Sequence, residues 1–326
     1  MKLIVTPFFT LLISLLGCAA HAQAPSATPW PSKPIRMIVP FTPGSGTDII
    51  ARTMADAMSK SLGQPIIVEN KPGAGGTIGA ALVARSEADG YTLLIHSSGH
   101  ALNPAIYTNL SYDTLKDLTG ITPLAALPNV MVVPPQRAWK TVSDALAAAR
   151  AKPGSLNYAS AGQGSATHLN AEKFKLQAGL DAVHIPFKGT PEAINEVIGG
   201  RIDWFFAPLS SALGLIKDGK LQALAVSTPN RAPALPQVPT TVEAGVPGSE
   251  YIFWVGMLVP SATPAALQKR LHEEVAKALA STDVKQKMAK LGADPFLLST
   301  ENFNAFIRTE VESAGRIATA AGLKAQ

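Results

Sequence analysis

The sequence predicts an α/β protein, and three observations carry that expectation. Short apolar strands alternate with helical stretches from Trp30 onward, the pattern of a parallel or mostly parallel sheet covered on both faces. The 326 residues suffice for two domains, or one large one, with real cores. Apolar residues make up 47% of the chain and charged residues only 16%, which excludes a disordered chain, a coiled coil and a disulfide scaffold.

The amino terminus stands apart from this pattern. Lys2 precedes an apolar run over 3–16, shorter than the roughly 20 residues of a bilayer span, and small residues follow up to Ala20-His21-Ala22. Residues 1–22 therefore read as a cleaved secretory signal, with Gln23 the first mature residue and the mature chain outside the cytoplasm. A competing reading takes Leu15-Leu16-Gly17-Cys18 as a lipoprotein box acylated at Cys18; Leu16, where a small residue is usual, favours soluble release. Release removes the single cysteine, and with it any disulfide or thiol chemistry. No later segment has 18 consecutive apolar residues.

The globular part begins with a buried strand at 35–39, which runs into a turn over 40–47. A helix then starts near Asp48, with Ile50, Met54, Met58 and Leu62 on one face. The unit repeats as a strand at 66–69, a glycine-rich turn at 71–77 and a helix at 78–85, and a third strand at 92–95 ends in Ser97-Ser98-Gly99-His100. Beyond Pro134-Pro135 come a helix at 142–151, a strand at 156–160, a helix at 167–177, a strand at 182–185, a helix at 191–198 and strands at 203–206 and 221–227. Pro229, Pro233, Pro236, Pro239 and Pro247 mark an ordered connector. A strand at 253–259 then leads into two long helices. Leu267, Leu271, Val275 and Leu279 stripe the first, and Phe303, Ile307, Val311, Ala314 and Ala318 the second, so each packs one side on a sheet.

Three Gly/Ser-rich turns, at 42–47, 97–100 and 160–165, fall at the carboxyl ends of predicted strands, where open α/β sheets bind their ligands. Such turns suit anions. Glycine lets backbone N–H groups approach closely, the following helix start leaves donors unpaired, and the macrodipole adds partial positive charge there. Hydroxyls of Thr42, Ser45, Thr47, Ser97, Ser98, Ser160, Ser165 and Thr167 add donors. The net charge of +5 agrees with an anionic partner, but no Lys/Arg run exceeds two residues, so nucleic acid is not expected.

Catalytic templates fail in turn: there is no G-x-S-x-G elbow, phosphate loop, H-E-x-x-H or Cys/His metal spacing. Gly73, Gly75 and Gly79 form only a loose relative of the dinucleotide fingerprint, and His96 stands where an acidic ribose ligand belongs. No cofactor or metal is expected. Ser165 and His168 could form a nucleophile and base, an exported serine hydrolase, although i, i+3 geometry at a helix start favours capping, and His168 reads rather as a ligand-shell or structural histidine. Asp48 reads as a helix cap more simply than as a base, and Lys188 either pairs with a ligand carboxylate or is solvated in its turn.

Pro34-Ile35-Arg36-Met37-Ile38-Val39-Pro40-Phe41 with Pro43-Gly44-Ser45-Gly46-Thr47-Asp48, and Val68-Glu69-Asn70-Lys71-Pro72-Gly73-Ala74-Gly75-Gly76, resemble the Bug family, the TctC-like periplasmic solute receptors of tripartite tricarboxylate transporters. The resemblance continues in order through Asn103-Pro104, Tyr158-Ala159-Ser160-Ala161-Gly162, His184-Ile185-Pro186-Phe187-Lys188-Gly189, Gly219-Lys220-Leu221, Pro239-Thr240 and Glu243-Ala244-Gly245, covering about 30–324.

It implies a two-lobed periplasmic-binding-protein fold of type II, each lobe a mixed, mostly parallel sheet flanked by helices. Lobe 1 is expected at 30–128 plus 250–326 and lobe 2 at 129–249. A small carboxylate, whether a di- or tricarboxylate or an aromatic acid, would sit between closing lobes. Thr42, Pro43, Gly44, Ser45, Gly46, Thr47 and Asp48 carry over as the first-lobe cradle, and Ser160, Ala161, Gly162, Gly164, Ser165, Thr167 and His168 as its second-lobe counterpart. Ser97, Ser98 and Asn103 complete the implied ligand set, and Asp203 would select the far end of the ligand. Ser45 adds a hydroxyl where a second glycine is frequent, and Phe187 replaces a common tyrosine. The implied role is capture and delivery to transporter membrane subunits by a periplasmic monomer without turnover; a sensor presenting its closed form to a signalling partner is the alternative.

Overall fold

A computed structural model of the chain describes residues 30–323. The signal-peptide and Cys18 readings lie outside the described residues. In chain order the elements are β1 (Ile35–Val39), α1 (Gly46–Leu62), β2 (Ile66–Asn70), α2 (Thr77–Ala84), β3 (Thr92–Ser97), α3 (Asn103–Ile106), β4 (Leu118–Leu127) and β5 (Asn129–Val133). Then follow α4 (Val142–Ala151), β6 (Asn157–Ser160), α5 (Ala166–Ala178), β7 (Val183–Pro186), α6 (Thr190–Ile198), β8 (Trp204–Pro208), α7 (Leu209–Lys217) and β9 (Gln222–Val226). The chain closes with β10 (Phe253–Pro260), α8 (Ala265–Ala280), α9 (Thr282–Lys290), β11 (Asp294–Pro295) and α10 (Thr300–Ala320).

Two sheets form the centres of two lobes: β11-β4-β10-β3-β1-β2 and β7-β6-β8-β5-β9. β1 pairs in parallel with β2 and β3, and β6 in parallel with β7 and β8. β10 runs antiparallel to β3 and β4, and β5 antiparallel to β8 and β9. The sheets are thus more evenly mixed than the strand–helix alternation suggests. Strands at the crossings account for the difference: β4 passes through Pro128 directly into β5, and the return path from β9 re-enters the first sheet as β10.

Each sheet buries an apolar layer on both faces. In the first, Ile50, Met54 and Met58 of α1 pack with α8 and α9 residues on one side, while Phe303 and Ile307 of α10 cover Trp254, Leu94 and Ile38 on the other. Phe303 lies on two strand glycines: a Cβ at Gly120 would come 2.6 Å from its ring, and one at Gly256 2.5 Å. The absence of a Cβ at both glycines is what lets this fully buried ring close against the sheet. In the second lobe Trp204, Phe174, Tyr158 and Phe206 fill one layer, and residues of α6 and α7 the other.

The two crossings are bonded to each other. Ser227 N–H donates to Asn129 O at 2.8 Å, Tyr251 N–H donates to Ser227 O at 2.7 Å, and the Ser227 hydroxyl donates to Tyr251 O at 2.7 Å. Asn129 Nδ2 also donates to Asn170 Oδ1 of α5 at 2.9 Å. Such a pair of mutually bonded crossings allows rotation of one lobe on the other.

Candidate binding cleft between the lobes

The first half of the site follows from how α1 begins. Ser45 is its N-cap, its hydroxyl accepting the Asp48 N–H at 3.3 Å, which leaves the N–H groups of Gly46 and Thr47 without an acceptor inside the helix. Asp48 holds the loop in shape. Its carboxylate accepts the Gly44 N–H at 2.9 Å, Arg52 Nε at 3.0 Å and Asn70 Nδ2 at 2.8 Å. These partners engage both oxygens, so Asp48, expected in the ligand set, serves instead to fix the conformation of 42–47. Gly44 takes a φ of +83°, a backbone that glycine adopts without strain.

The second half repeats the construction. Ser165 caps α5 by accepting the His168 N–H at 3.3 Å, and the Thr167 hydroxyl accepts the Ala161 N–H at 2.9 Å, leaving the Ala166 and Thr167 N–H groups free of intrahelical acceptors. His168 Nδ1 accepts the Gly164 N–H at 3.3 Å, so that ring nitrogen orders the loop; Ser165 and His168 meet as cap and capped amide, and the hydrolase pairing is not formed. Ser160 Oγ accepts the Gly162 N–H at 3.1 Å and lies 2.6 Å from His184 Nε2.

The fold brings these halves face to face. Ser45, Gly46, Thr47, Ser97, Ala161, Ser165, Ala166 and Thr167 line one pocket, together with Phe41, Thr190 and Phe253. The pocket measures about 10 Å³, room for no more than a single water. It is lined by donors and apolar walls without a lysine or arginine. Beside it, sharing Phe41 and Ala161, opens a cleft of about 410 Å³ lined by Gly73–Gly76 on one lobe and Gly162, Gln163, Phe187, Lys188 and Glu192 on the other.

Contacts across the cleft show the lobes drawn together. Thr42 Oγ1 donates to Glu192 Oε2 at 3.0 Å, Tyr107 Oη donates to Gln163 O at 2.8 Å, and Ser211 Oγ donates to Gly44 O at 3.1 Å. Glycines permit the approach: a Cβ on Gly99 would stand 2.7 Å from Ala166 N, and one on Gly75 2.2 Å from Gln163 O. Ser210, Ser211, Thr190, Glu192 and Tyr107 escaped the sequence reading, and Gln163 entered it only as part of the turn at 160–165. Ser210 and Ser211 lie in the first turn of α7, which follows β8 with no connecting turn and no glycine before it, so the Gly/Ser signal did not reach them.

Other expected residues fall elsewhere. Ser98 Oγ is 2.8 Å from Tyr251 Oη and ties β3 to the connector. Asn103 is buried against Tyr112, its Nδ2 donating to Tyr112 Oη at 3.3 Å, and its Oδ1 would lie 3.3 Å from a Cβ on Gly164 of the opposite loop. Asp203 is a correction. It precedes β8 and pairs with the start of β6, accepting the Asn157 N–H at 2.8 Å and forming an ion pair with Arg137. The cleft loops leave the opposite, carboxyl ends of those parallel strands, so Asp203 is a structural group at the far edge of the sheet.

A ring stack backs the second-lobe loop. His168 and His184 lie 4.0 Å apart between centroids, Tyr158 stacks on His184 at 4.9 Å, and Trp204 on Tyr158 at 4.8 Å. Burial pushes His184 down to about 3 and His168 down to about 4, keeping both rings neutral. Burial, and then the neighbouring Glu172 carboxylate to which it donates, hold the Tyr158 hydroxyl far above its ordinary value. On the first lobe His100 is likewise pushed to about 4 by burial.

Residues 50–323 match the family model described as the tripartite tricarboxylate transporter family receptor. Protein BugT of Bordetella pertussis is 34% identical over 97% of this chain and 98% of its own length. Among solved structures, an R. palustris protein described with adipate superposes at a TM-score of 0.88 with 33% identity, covering 91% of this chain and 100% of its own. MatC from Rhodopseudomonas palustris, described with bound malate, superposes at 0.84 with 30% identity, covering 88% and 99%. The family is one of solute-binding proteins rather than enzymes, in keeping with a Ser165 hydroxyl occupied as a cap. Sequence, two-lobed architecture and a cleft framed by helix starts agree, and the chain belongs to the receptor family of the tripartite tricarboxylate transporters.

Proposed function

We propose that the protein is an extracytoplasmic receptor that closes its two lobes on a small organic carboxylate and hands it to the membrane subunits of a tripartite tricarboxylate transporter. One observation carries the reading: the amino-terminal turns of α1 and α5, one from each lobe, line a single pocket with their free N–H groups and capping hydroxyls. Two helix starts converging on one point stabilise an anion and no other class of ligand so well. The malate and adipate described with relatives support a small organic acid gripped through a carboxylate.

In this reading lobe 1 comprises 30–128 and 250–326 and lobe 2 comprises 129–249, the two sheets falling one on each side of those boundaries. Residues 1–22 act as the export signal and the receptor works in the periplasm as a monomer; among the described residues no helix is long and apolar enough to cross a membrane. A micromolar dissociation constant needs about 8 kcal/mol, within reach of several charge-assisted hydrogen bonds after ordering costs. A thermal-shift screen of di-, tri- and aromatic carboxylates tests the reading. At 100 times its dissociation constant a true ligand adds about 2.7 kcal/mol to stability; no stabilisation by any of these acids would overturn it.

A further inference from the structure

We propose that Glu192 makes the cleft select a ligand whose far end carries a protonated amine rather than a second carboxylate. This rests on the carboxylate-receptor reading, in which the two helix starts hold one end of the ligand. The other end projects into the adjoining cleft of about 410 Å³, where Lys188 and Glu192 are the charged residues on the lining.

The two charges are not equivalent. Glu192, in the first turn of α6, is half-buried, and its carboxylate reaches across the lobe boundary to accept the Thr42 hydroxyl at 3.0 Å. Its Oε2 also lies 3.2 Å from where a Cβ on Gly189 would stand, so the group is folded over the glycine at the start of its own helix and onto the first-lobe loop. Among the described residues it has no ion-pair partner. Lys188 is exposed, and its ammonium is solvated and screened. Closure therefore brings an uncompensated negative charge beside loop 42–47, where the cradle has already taken up one carboxylate. A second carboxylate in that cleft meets like charge in partly desolvated surroundings, whereas an ammonium gains a partner there.

Matched ligand pairs test the proposal by calorimetry: succinate against 4-aminobutyrate, and adipate against 6-aminohexanoate. The expected result is at least tenfold tighter binding of the amino acid in a pair, equivalent to 1.4 kcal/mol. Glu192→Gln, which keeps an acceptor for Thr42, should erase that preference, and Lys188→Met should leave it. A wild-type preference for the diacids overturns the proposal, as does a Glu192→Gln variant that weakens all four ligands equally, since the residue would then be only a latch. Binding of none of the four overturns it as well, and the broader acid screen then shows whether the receptor reading falls with it.

Discussion

Gly99 sets the closest approach of the two lobes at the cradle itself. Its neighbour across the cleft is Ala166 N, one of the two free donors of α5, and a Cβ would sit 2.7 Å from that atom. Because the clash is with backbone of the opposite lobe, Gly99→Ala should lower carboxylate affinity tenfold or more while changing the stability of the free protein by less than about 1 kcal/mol. Titration calorimetry and urea unfolding check the two halves; equal affinity would mean that the lobes do not close to this distance around ligand. At this scale much of the cradle was legible, because Ser45 and Ser165 announce helix starts by residue type and glycines flank both. The acids were not. Asp48 and Asp203 carry the same functional group, and only the positions of Gly44, Arg52 and Asn70, and of Asn157 and Arg137, reveal that both are spent on internal contacts.

Among the elements, the stack of β6, α5 and β7 side chains carries a pH dependence. His184 and His168 are held at about 3 and about 4, below the ordinary value near 6.5. Between those limits the unfolded chain binds protons that the folded chain refuses, so stability is full above about pH 6.5 and is lost as pH falls toward 3 to 4. His184→Phe preserves the stacking but removes one titrating group and the contact to Ser160; it should cost about 1 kcal/mol at pH 7 and flatten the decline. Urea midpoints measured across pH 7 to 4 decide this, and parallel curves for variant and wild type would assign the linkage to other groups. Elements were legible where periodicity was clean, as in α1, α4 and α10. The sequence reading passed over β4, whose Gly120 and Pro123 look like strand breakers. Pro123 is accommodated because the β4·β10 register shifts at Val255/Gly256, where a bulge relieves the need for its missing N–H. It also passed over the short apolar β5, over α7, with two serines and Gly214, and over the mostly polar α9, whose two buried residues are Val284 and Met288.

For the whole molecule, a pocket of about 10 Å³ and direct bonds between lobes mean that the proposed carboxylate would enter only after the lobes part about the paired crossings at Pro128 and 227–251. Small-angle scattering should record a smaller radius of gyration with a stabilising acid than without it, and identical profiles would argue for entry without lobe motion. The two-lobed plan could be expected from the family resemblance, but not the degree of closure, since that depends on which glycines oppose which backbone atoms across 60 or more residues of intervening chain.

A grip made of main-chain amides has a consequence for descent. Point substitution seldom abolishes a backbone donor, so in the proposed reading a lineage inheriting the α1 and α5 starts keeps its hold on one acidic group through most changes of side chain, those at the flanking glycines excepted. Novelty is left to positions such as 187, 188 and 192 around the rim, where, if the protein is the proposed receptor, a single codon change would redirect it toward a different solute while the grip on the acid stays in place.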